Sequence, residues 1–476
     1  MNKAMIRSIL SVTLVALMAL AALGGCVERP SETQSGDWNG KDEFEPSNGI
    51  GKNTKELAER YEEYKENAGL AFKQNQPAEG YDFTISDFDG GVRIDAYTGI
   101  DNVVVIPESI DGKAVAAIGA KAFSNAAVRA VYVPDSVTFI EKGAFEGAQA
   151  ITTLRLPFVG DGKQVTHFGH IFGSDNYSNH AVKVPTSLDM VILGEKVTRI
   201  DENAFSGCKS LSAIILTGGA DEIGNFALYE CRDLVYLDLG NGVKSIGEYA
   251  FGYCDSIYSL SLTGVERIGL GALYECNSLY SLTIPFVGGS KSENKHLGYI
   301  FGADISDHND EFVPHSLYRV SLEGCQEIPD RAFASCAYIG EFWLGEGIER
   351  VGTRAFYACR SLLEIAMPDS LKALGDDAFF GCDNLEAVDL GAGVESIGMQ
   401  AFFGCKALAS LEIPDNVSEI KPSTFAFCSS LKTVELNNVS KIGKDAFYKC
   451  DALTPISVTG IDVAYGNESL ILTDSQ

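Results

Sequence analysis

Apolar and polar positions along this chain follow a pattern that restarts every 22 or 23 residues over most of its length. In Leu408-Ala409-Ser410-Leu411-Glu412-Ile413-Pro414, alternation puts Leu411 and Ile413 on one face and Glu412 on the other, which predicts a strand. Pro414 lacks an amide donor and ends it. Val417 and Ile420 turn inward again, and Phe425 and Cys428 close the unit. The Phe or Leu that closes each unit falls at 123, 145, 205, 228, 251, 273, 333, 356, 379, 402, 425 and 447, with two gaps of 60. A fixed period of this length predicts a solenoid, in which each coil buries its apolar face only against its neighbours. The strands stack into a parallel sheet on one side, with glycines such as Gly247, Gly352 and Gly398 suited to tight backbone approach at the bends.

Outside the repeat the pattern changes. Residues 1–25 carry Lys3 and Arg7, then an apolar run from Ile9 to Leu23, then small residues; a run of 15 is short of the ~20 that span a bilayer. Residues 26–53 are rich in Ser, Glu, Gly, Asn and Pro and read as a flexible tether. Within 54–117, Leu57, Tyr61, Tyr64 and Ala68 recur at helical spacing after Thr54, predicting a short helix over 54–74. Phe83-Thr84-Ile85 and Val92-Arg93-Ile94 flank Asp89-Gly90-Gly91 as a hairpin, and Val103 to Ile106 forms a further cap strand. The solenoid is expected over 118–456, and 457–476 as a closing cap and tail.

Both 60-residue gaps share one plan. Pro157-Phe158-Val159-Gly160 matches Pro285-Phe286-Val287-Gly288, and Phe168-Gly169-His170-Ile171-Phe172-Gly173 matches Leu297-Gly298-Tyr299-Ile300-Phe301-Gly302. Each gap therefore holds an elongated coil, near 157–187 and 285–316, with Phe172 or Phe301 as its closing residue. That makes 14 coils.

The repeat motif resembles the BspA-like class of leucine-rich repeats: Leu362-Leu363-Glu364-Ile365-Ala366-Met367-Pro368 runs on to Ala378-Phe379-Phe380-Gly381-Cys382. The resemblance covers about three quarters of the chain and implies a repeat solenoid with a parallel sheet on one face and short irregular or helical segments on the other, closed by terminal caps. It implies a secreted or surface-anchored bacterial protein that works by adhesion and protein binding. Leu23-Gly24-Gly25-Cys26 similarly resembles a bacterial lipobox, which would make Cys26 the lipidated N-terminus and place the protein on the cell surface, held to the membrane by lipid alone.

Composition narrows the partners. A formal charge of -28 repels phosphate backbones, so nucleic acid is not expected. Extracellular or envelope proteins are the expected partners, with glycans as a further class. Ten of the 12 cysteines lie three residues after a closing residue. Equivalent side chains in stacked coils are about 4.8 Å apart, wider than the ~3.8 Å between the β-carbons of a disulfide. They are expected as a ladder of buried free thiols, with Cys325 out of register.

Two surfaces are candidates for recognition. The outward strand positions run Tyr132, Arg155, Ile192, Ile215, Asp238, Ser261, Thr283, Ser321, Trp343, Ala366, Asp389, Glu412, Glu435 and Ser457. Tyr132, Trp343, Asp389, Glu412 and Glu435 are the candidate contacts there, with Trp343 as an aromatic anchor beside an acidic stretch suited to a basic partner. The second surface is the pair of loops in the elongated coils, which hold all six histidines. His167, His170, Asp175, Tyr177 and His180 are its candidates in the first loop, and His296, Asp304 and His308 in the second. A metal site is conceivable there, but only His167 and His296 occupy matching positions, and polar loop surface is preferred. Motifs for nucleophilic, phosphate-binding or dinucleotide chemistry are missing, and no cofactor is expected. The function that follows is a surface lipoprotein binding macromolecules, with a structural envelope subunit as the alternative and a metal-dependent hydrolase on the loops as a third, weaker reading.

Overall fold

The computed structural model describes residues 59, 60, 62, 77–124, 127–454, 456–458, 461–464, 466 and 470–472. The expected signal segment, Cys26 and the expected tether with Trp38 lie outside the described residues. The chain divides into two compact units, 1–71 and 72–476. In the first, Glu59, Arg60 and Glu62 are helical, inside the segment predicted as a helix. Among the described residues no helix is long and apolar enough to cross a membrane.

Residues 72–476 form a parallel-strand solenoid of about 16 turns with little helix. One coil shows how the sequence builds it. The strand Tyr236–Asp238 buries Leu237 and belongs to a wide side that begins at Val103–Val105. After a bend the two-residue strand Ser245–Ile246 pairs with Glu222–Ile223 and Arg267–Ile268 on a narrow side, its Ile buried and its first residue turned outward. Gly247 follows because a Cβ there would lie 2.5 Å from the amide nitrogen of Asn225 in the preceding coil. Gly352 and Gly398 face the equivalent amide nitrogens of Asp330 and Asp376, each at 2.4 Å, so these glycines serve close coil-to-coil approach.

The third side is a tight turn around the closing residue. Phe226, Leu228 and Glu230 donate their amides to Glu248, Ala250 and Gly252 of the next coil at 2.9, 2.8 and 2.8 Å. Pointing every second amide along the axis requires a left-handed residue on either side of the closing residue. Tyr249 (φ 51°) and Tyr253 (φ 59°) flank Phe251, and Arg354 (φ 56°) and Ala358 (φ 56°) flank Phe356. Inside, the closing phenylalanines stack: Phe356 on Phe379 at 4.9 Å, Phe379 on Phe402 at 5.4 Å and Phe402 on Phe425 at 5.6 Å between ring centroids.

The 11 cysteines among the described residues are buried and free, and they are more than small apolar fillers. Each thiol in a regular run donates to the closing residue's carbonyl one coil back, as Cys405 does to Phe379 at 3.2 Å and Cys428 to Phe402 at 3.0 Å. That carbonyl also accepts the amide of its own coil's cysteine, Cys382 onto Phe379 at 3.1 Å. Both lone pairs are thereby used in the buried interior.

The predicted hairpin is present as Phe83–Phe88 and Gly91–Tyr97, antiparallel, turning at Asp89 (φ 46°) and Gly90 (φ 80°). Its second strand pairs parallel with Lys113–Ile118, and Tyr97 stacks on Phe123 to start the aromatic column. The expected 14 coils become about 16 turns because two segments assigned to the caps are rungs of the wide side. Val103–Val105 pairs parallel with Ala130–Tyr132, and Leu470–Leu472 with Ile456–Val458. Such end rungs lack the full motif since each has only one neighbour to match.

Gly398→Ala should lower stability by about 1–3 kcal/mol, the usual cost of overpacking, and Phe379→Ala by about 3–5 kcal/mol. Urea denaturation followed by circular dichroism checks both. A Gly398→Ala midpoint equal to wild type would contradict the close approach.

Candidate functional site

The wide side forms the first candidate surface. Its outward row is in register: Tyr132 pairs with Arg155, Arg155 with Ile192, Ile192 with Ile215, Ser321 with Trp343, Ala366 with Asp389 and Glu412 with Glu435. The row divides by exposure. Arg155, Ile192 and Ile215 are buried, and Arg155 bonds the Val133 carbonyl at 2.7 Å and Asp135 at 2.6 Å while its guanidinium lies over half-buried Tyr132. From Trp343 onward the row is open: Trp343 is 48% exposed, and Ala366, Asp389, Glu412 and Glu435 are all exposed. Exposed Glu364, paired with Ala387 on the adjoining row, adds to the acidity.

The elongated coils are the second. Their extra length leaves the wide side unbroken, since Thr153–Leu156 pairs directly with Met190–Leu193 and Ser281–Ile284 with Arg319–Leu322. On the narrow side a single bond replaces the strand: Ile140 donates to Asp161 at 3.1 Å and Ile268 to Gly289 at 2.9 Å. On the turn side the 3-10 segments Phe168–Phe172 and Leu297–Phe301 take the closing position. Each carries two apolar rungs, so Phe145 donates its amide to Ile171 while Phe168 donates onward to Ala204, both at 2.8 Å. Left-handed Gly173 and Gly302 end these segments and release the chain into the loops.

Each loop returns through one helical turn, His180–Lys183 or Asn309–Phe312, whose first residue is fully buried. His180 donates Nδ1–H to the Ser206 carbonyl at 2.8 Å. Its Nε2 is thus the acceptor, taking the Gly169 amide at 3.1 Å and Nδ1–H of His167 at 3.2 Å. Asn309 does the same with different atoms. Its Oδ1 accepts the Gly298 amide at 2.9 Å and Nδ1–H of His296 at 3.1 Å, and its Nδ2 donates to the Ala334 carbonyl at 3.0 Å. The sequence match between His167 and His296 concealed this second equivalence, because a histidine and an asparagine hold the one position.

Polar loop surface was expected for all these histidines; His180 is fully buried and His296 nearly so, because each serves the tie between loop and solenoid. Neither side chain is open to a partner. His167 and His170 are half-buried, and burial lowers the pKa of both. Asp175 pairs with Lys142, Asp307 with Arg331, and exposed Tyr177 and Ile305 stand at the loop surfaces. His308 sits 2.8 Å from Asp304, whose carboxylate raises its pKa. Among the described residues no group of three or more His, Cys, Asp or Glu side chains is placed to hold a metal ion.

The family model described as the BspA type leucine rich repeat region matches in six copies over residues 105–164, 178–290 and 323–458. Of the stretches left between those matches, 165–177 lies within the first elongated coil and 291–322 covers most of the second and the strand that follows it. Among solved structures, a leucine-rich repeat protein from Bacteroides ovatus shares 19% identity over 76% of this chain and 99% of its own, with a TM-score of 0.35. A leucine rich cell surface protein from Faecalibacterium prausnitzii shares 21% identity over 83% of this chain and 97% of its own, with a TM-score of 0.31. At such values the two add no argument to the family match. No curated protein matches the chain.

Burial, then the charge of His167, push the pKa of His180 down from 6.5 to about 4. Between those values an unfolded chain binds a proton that the fold excludes, so stability falls as pH falls, by about 1.4 kcal/mol per unit and about 3 kcal/mol over the window. His180→Asn copies the second coil and removes this contribution. Urea denaturation at neutral and acid pH should show the variant losing less stability than wild type on acidification; equal losses would count against the assignment.

Proposed function

We propose, from the premise that this chain belongs to the BspA type leucine-rich repeat family, that it is a bacterial cell-surface protein that binds other macromolecules noncovalently, proteins first among them. The observation that carries this reading is the open half of the wide side. Trp343 and the carboxylates of Asp389, Glu412 and Glu435 stand exposed on a single row of a rigid, regularly spaced sheet. Glu412 and Glu435 lie directly opposite each other in register, an arrangement that costs stability through like-charge repulsion. A basic partner would relieve that repulsion and receive an aromatic anchor beside it.

The export signal supports the surface location. An apolar run followed by Leu23-Gly24-Gly25-Cys26 would place a lipid on Cys26, and the following segment would hold the solenoid away from the membrane. Adhesion then needs no catalytic step, since a flat row of side chains recognises shape and charge without enclosing a substrate.

The test arrays extracellular proteins and glycans against the purified protein and a Trp343→Ala/Glu412→Lys variant. Saturable binding should weaken by about tenfold or more in the variant, as removal of a hot-spot aromatic together with a complementary charge does. Full retention of binding by the variant would overturn the assignment to this row. Protease treatment of intact cells addresses location: cleavage of the solenoid is expected, and complete protection would refute a surface position.

A further inference from the structure

Between the two elongated coils, the turn side carries five aromatic residues that the repeat motif does not require. Their rings close a circuit, with Phe226 to Tyr229 at 5.5 Å, Tyr229 to Tyr253 at 5.4 Å, Tyr253 to Tyr274 at 5.5 Å, Tyr274 to Tyr249 at 5.7 Å and Tyr249 to Phe226 at 5.5 Å between centroids. All five are half-buried, so the circuit forms a floor at the surface. Its limits are set by the elongated coils. At one end Gly207, beside His180, donates its amide to the Tyr229 carbonyl at 2.7 Å, and at the other Tyr274 lies so close to Gly302 that a Cβ there would be 2.9 Å from its ring.

The floor has an acidic rim. Glu230, Glu248 and Glu275 each neighbour one of its tyrosines in the chain, and Glu248 is exposed. The charges of Glu230 and Glu275 reach the rings, adding to burial in raising the pKa of Tyr229 and Tyr274. Aromatic faces attract cations through their quadrupole, and flanking carboxylates reinforce this. The chain itself displays the chemistry once: the Arg232 guanidinium lies 5.5 Å from the Tyr253 centroid and pairs with Asp255 at 2.9 Å. Among the described residues, no other cation lies over the five rings.

We infer that this aromatic floor docks a cationic segment of a partner protein, whose Arg or Lys side chains lie over the rings beside Glu248 and Glu275, Glu230 being held by Lys209 at 3.3 Å. The surface is distinct from the open row of the wide side, and it goes beyond the adhesion proposed there. The paired elongated coils bound the segment at either end, which favours a short stretch of chain over an extended fibre.

The experiment titrates the full protein into fluorescein-labelled deca-arginine and follows anisotropy at about 0.1 M salt, where surface charge is screened beyond about 10 Å. Saturable binding is expected, weakened about tenfold by Glu248→Lys/Glu275→Lys and by Tyr253→Leu/Tyr274→Leu, a loss of the size of one or two cation-π contacts. Tyr253→Phe, which keeps the ring, should bind as wild type does. The charge-reversal pair changes surface side chains only, so its result does not depend on how well the leucine variant folds. Because the wide-side row also suits a basic partner, the floor variants are compared in an Asp389→Asn/Glu412→Gln/Glu435→Gln background as well, where the same loss of about tenfold is expected. No binding of the peptide, or floor variants that bind it as tightly as their parents in both backgrounds, would overturn the inference.

Discussion

The axial hydrogen bond of the turn side is the constraint on which the rest of the molecule depends. Every second amide around the closing residue must point at the next coil, and a chain of L-residues achieves this only by entering the left-handed region twice per coil. Such residues cost about 1–3 kcal/mol each when they are not glycine. The offset comes from regularity. Each left-handed residue releases an amide to the next coil, as Phe226 does to Glu248, and lets a phenylalanine stack on its equivalent within about 5–6 Å. Cysteine then completes the closing carbonyl, a task for which a small weak donor fits where no water does. A coil of 22 or 23 residues is the length at which these demands coincide.

This explains which parts of the fold were legible in sequence and which were not. The closing residues, the buried aliphatic residue of each narrow strand and the close-approach glycines recur within a narrow range of residue types, with Leu228 and Leu273 for Phe and Val351 and Leu374 for Ile, because each position admits a narrow range of shapes. The left-handed positions are held by Phe226, Tyr249, Arg331, Ser423 and Asp445, among others, so composition gives no sign of them. Their requirement is on the backbone, and any side chain that can point outward satisfies it. The outward row was legible for the opposite reason, since side-chain alternation in a strand needs only the register of one inward residue to be fixed. Its exposure was not legible, and the row that reads as continuous is closed at Arg155, Ile192 and Ile215 and open from Trp343 onward.

The elongated coils show the same limit more sharply. His180 and Asn309 share no charge state and little shape, yet each offers one acceptor to a glycine amide and a histidine Nδ1–H, and one donor to a carbonyl of the next coil. Equivalence here lies in the pattern of lone pairs and protons. A comparison by residue type found the outer histidines, which match, and missed the inner pair, which does the work of holding the loop. Substituting a titratable group for an amide in one of two otherwise equal ties also makes the coils respond differently to acid, since the first buries His180 in addition to the outer histidine that both ties share.

The way the elongated coils are inserted divides the surface between two kinds of use. On the wide side the strands before and after each insertion pair directly, four residues to four, so a ligand lying there meets no interruption. On the turn side each insertion fills a rung with its 3-10 segment and sends a loop outward beside it, so that side is cut into compartments. An extended or repetitive partner suits the first surface, and a short segment the second. The chemistry follows the same division. The wide side spaces its carboxylates one rung apart, where mutual repulsion keeps them dependent on an external counter-charge. The compartment between the coils gathers aromatic rings in contact with one another, which are stable without a partner and retain their outward edges and faces for one. A solenoid whose interior is fixed by hydrogen bonding along its axis can vary these two sides independently wherever the outward side chains, unlike Arg155, stay out of the bonds that hold the coils together.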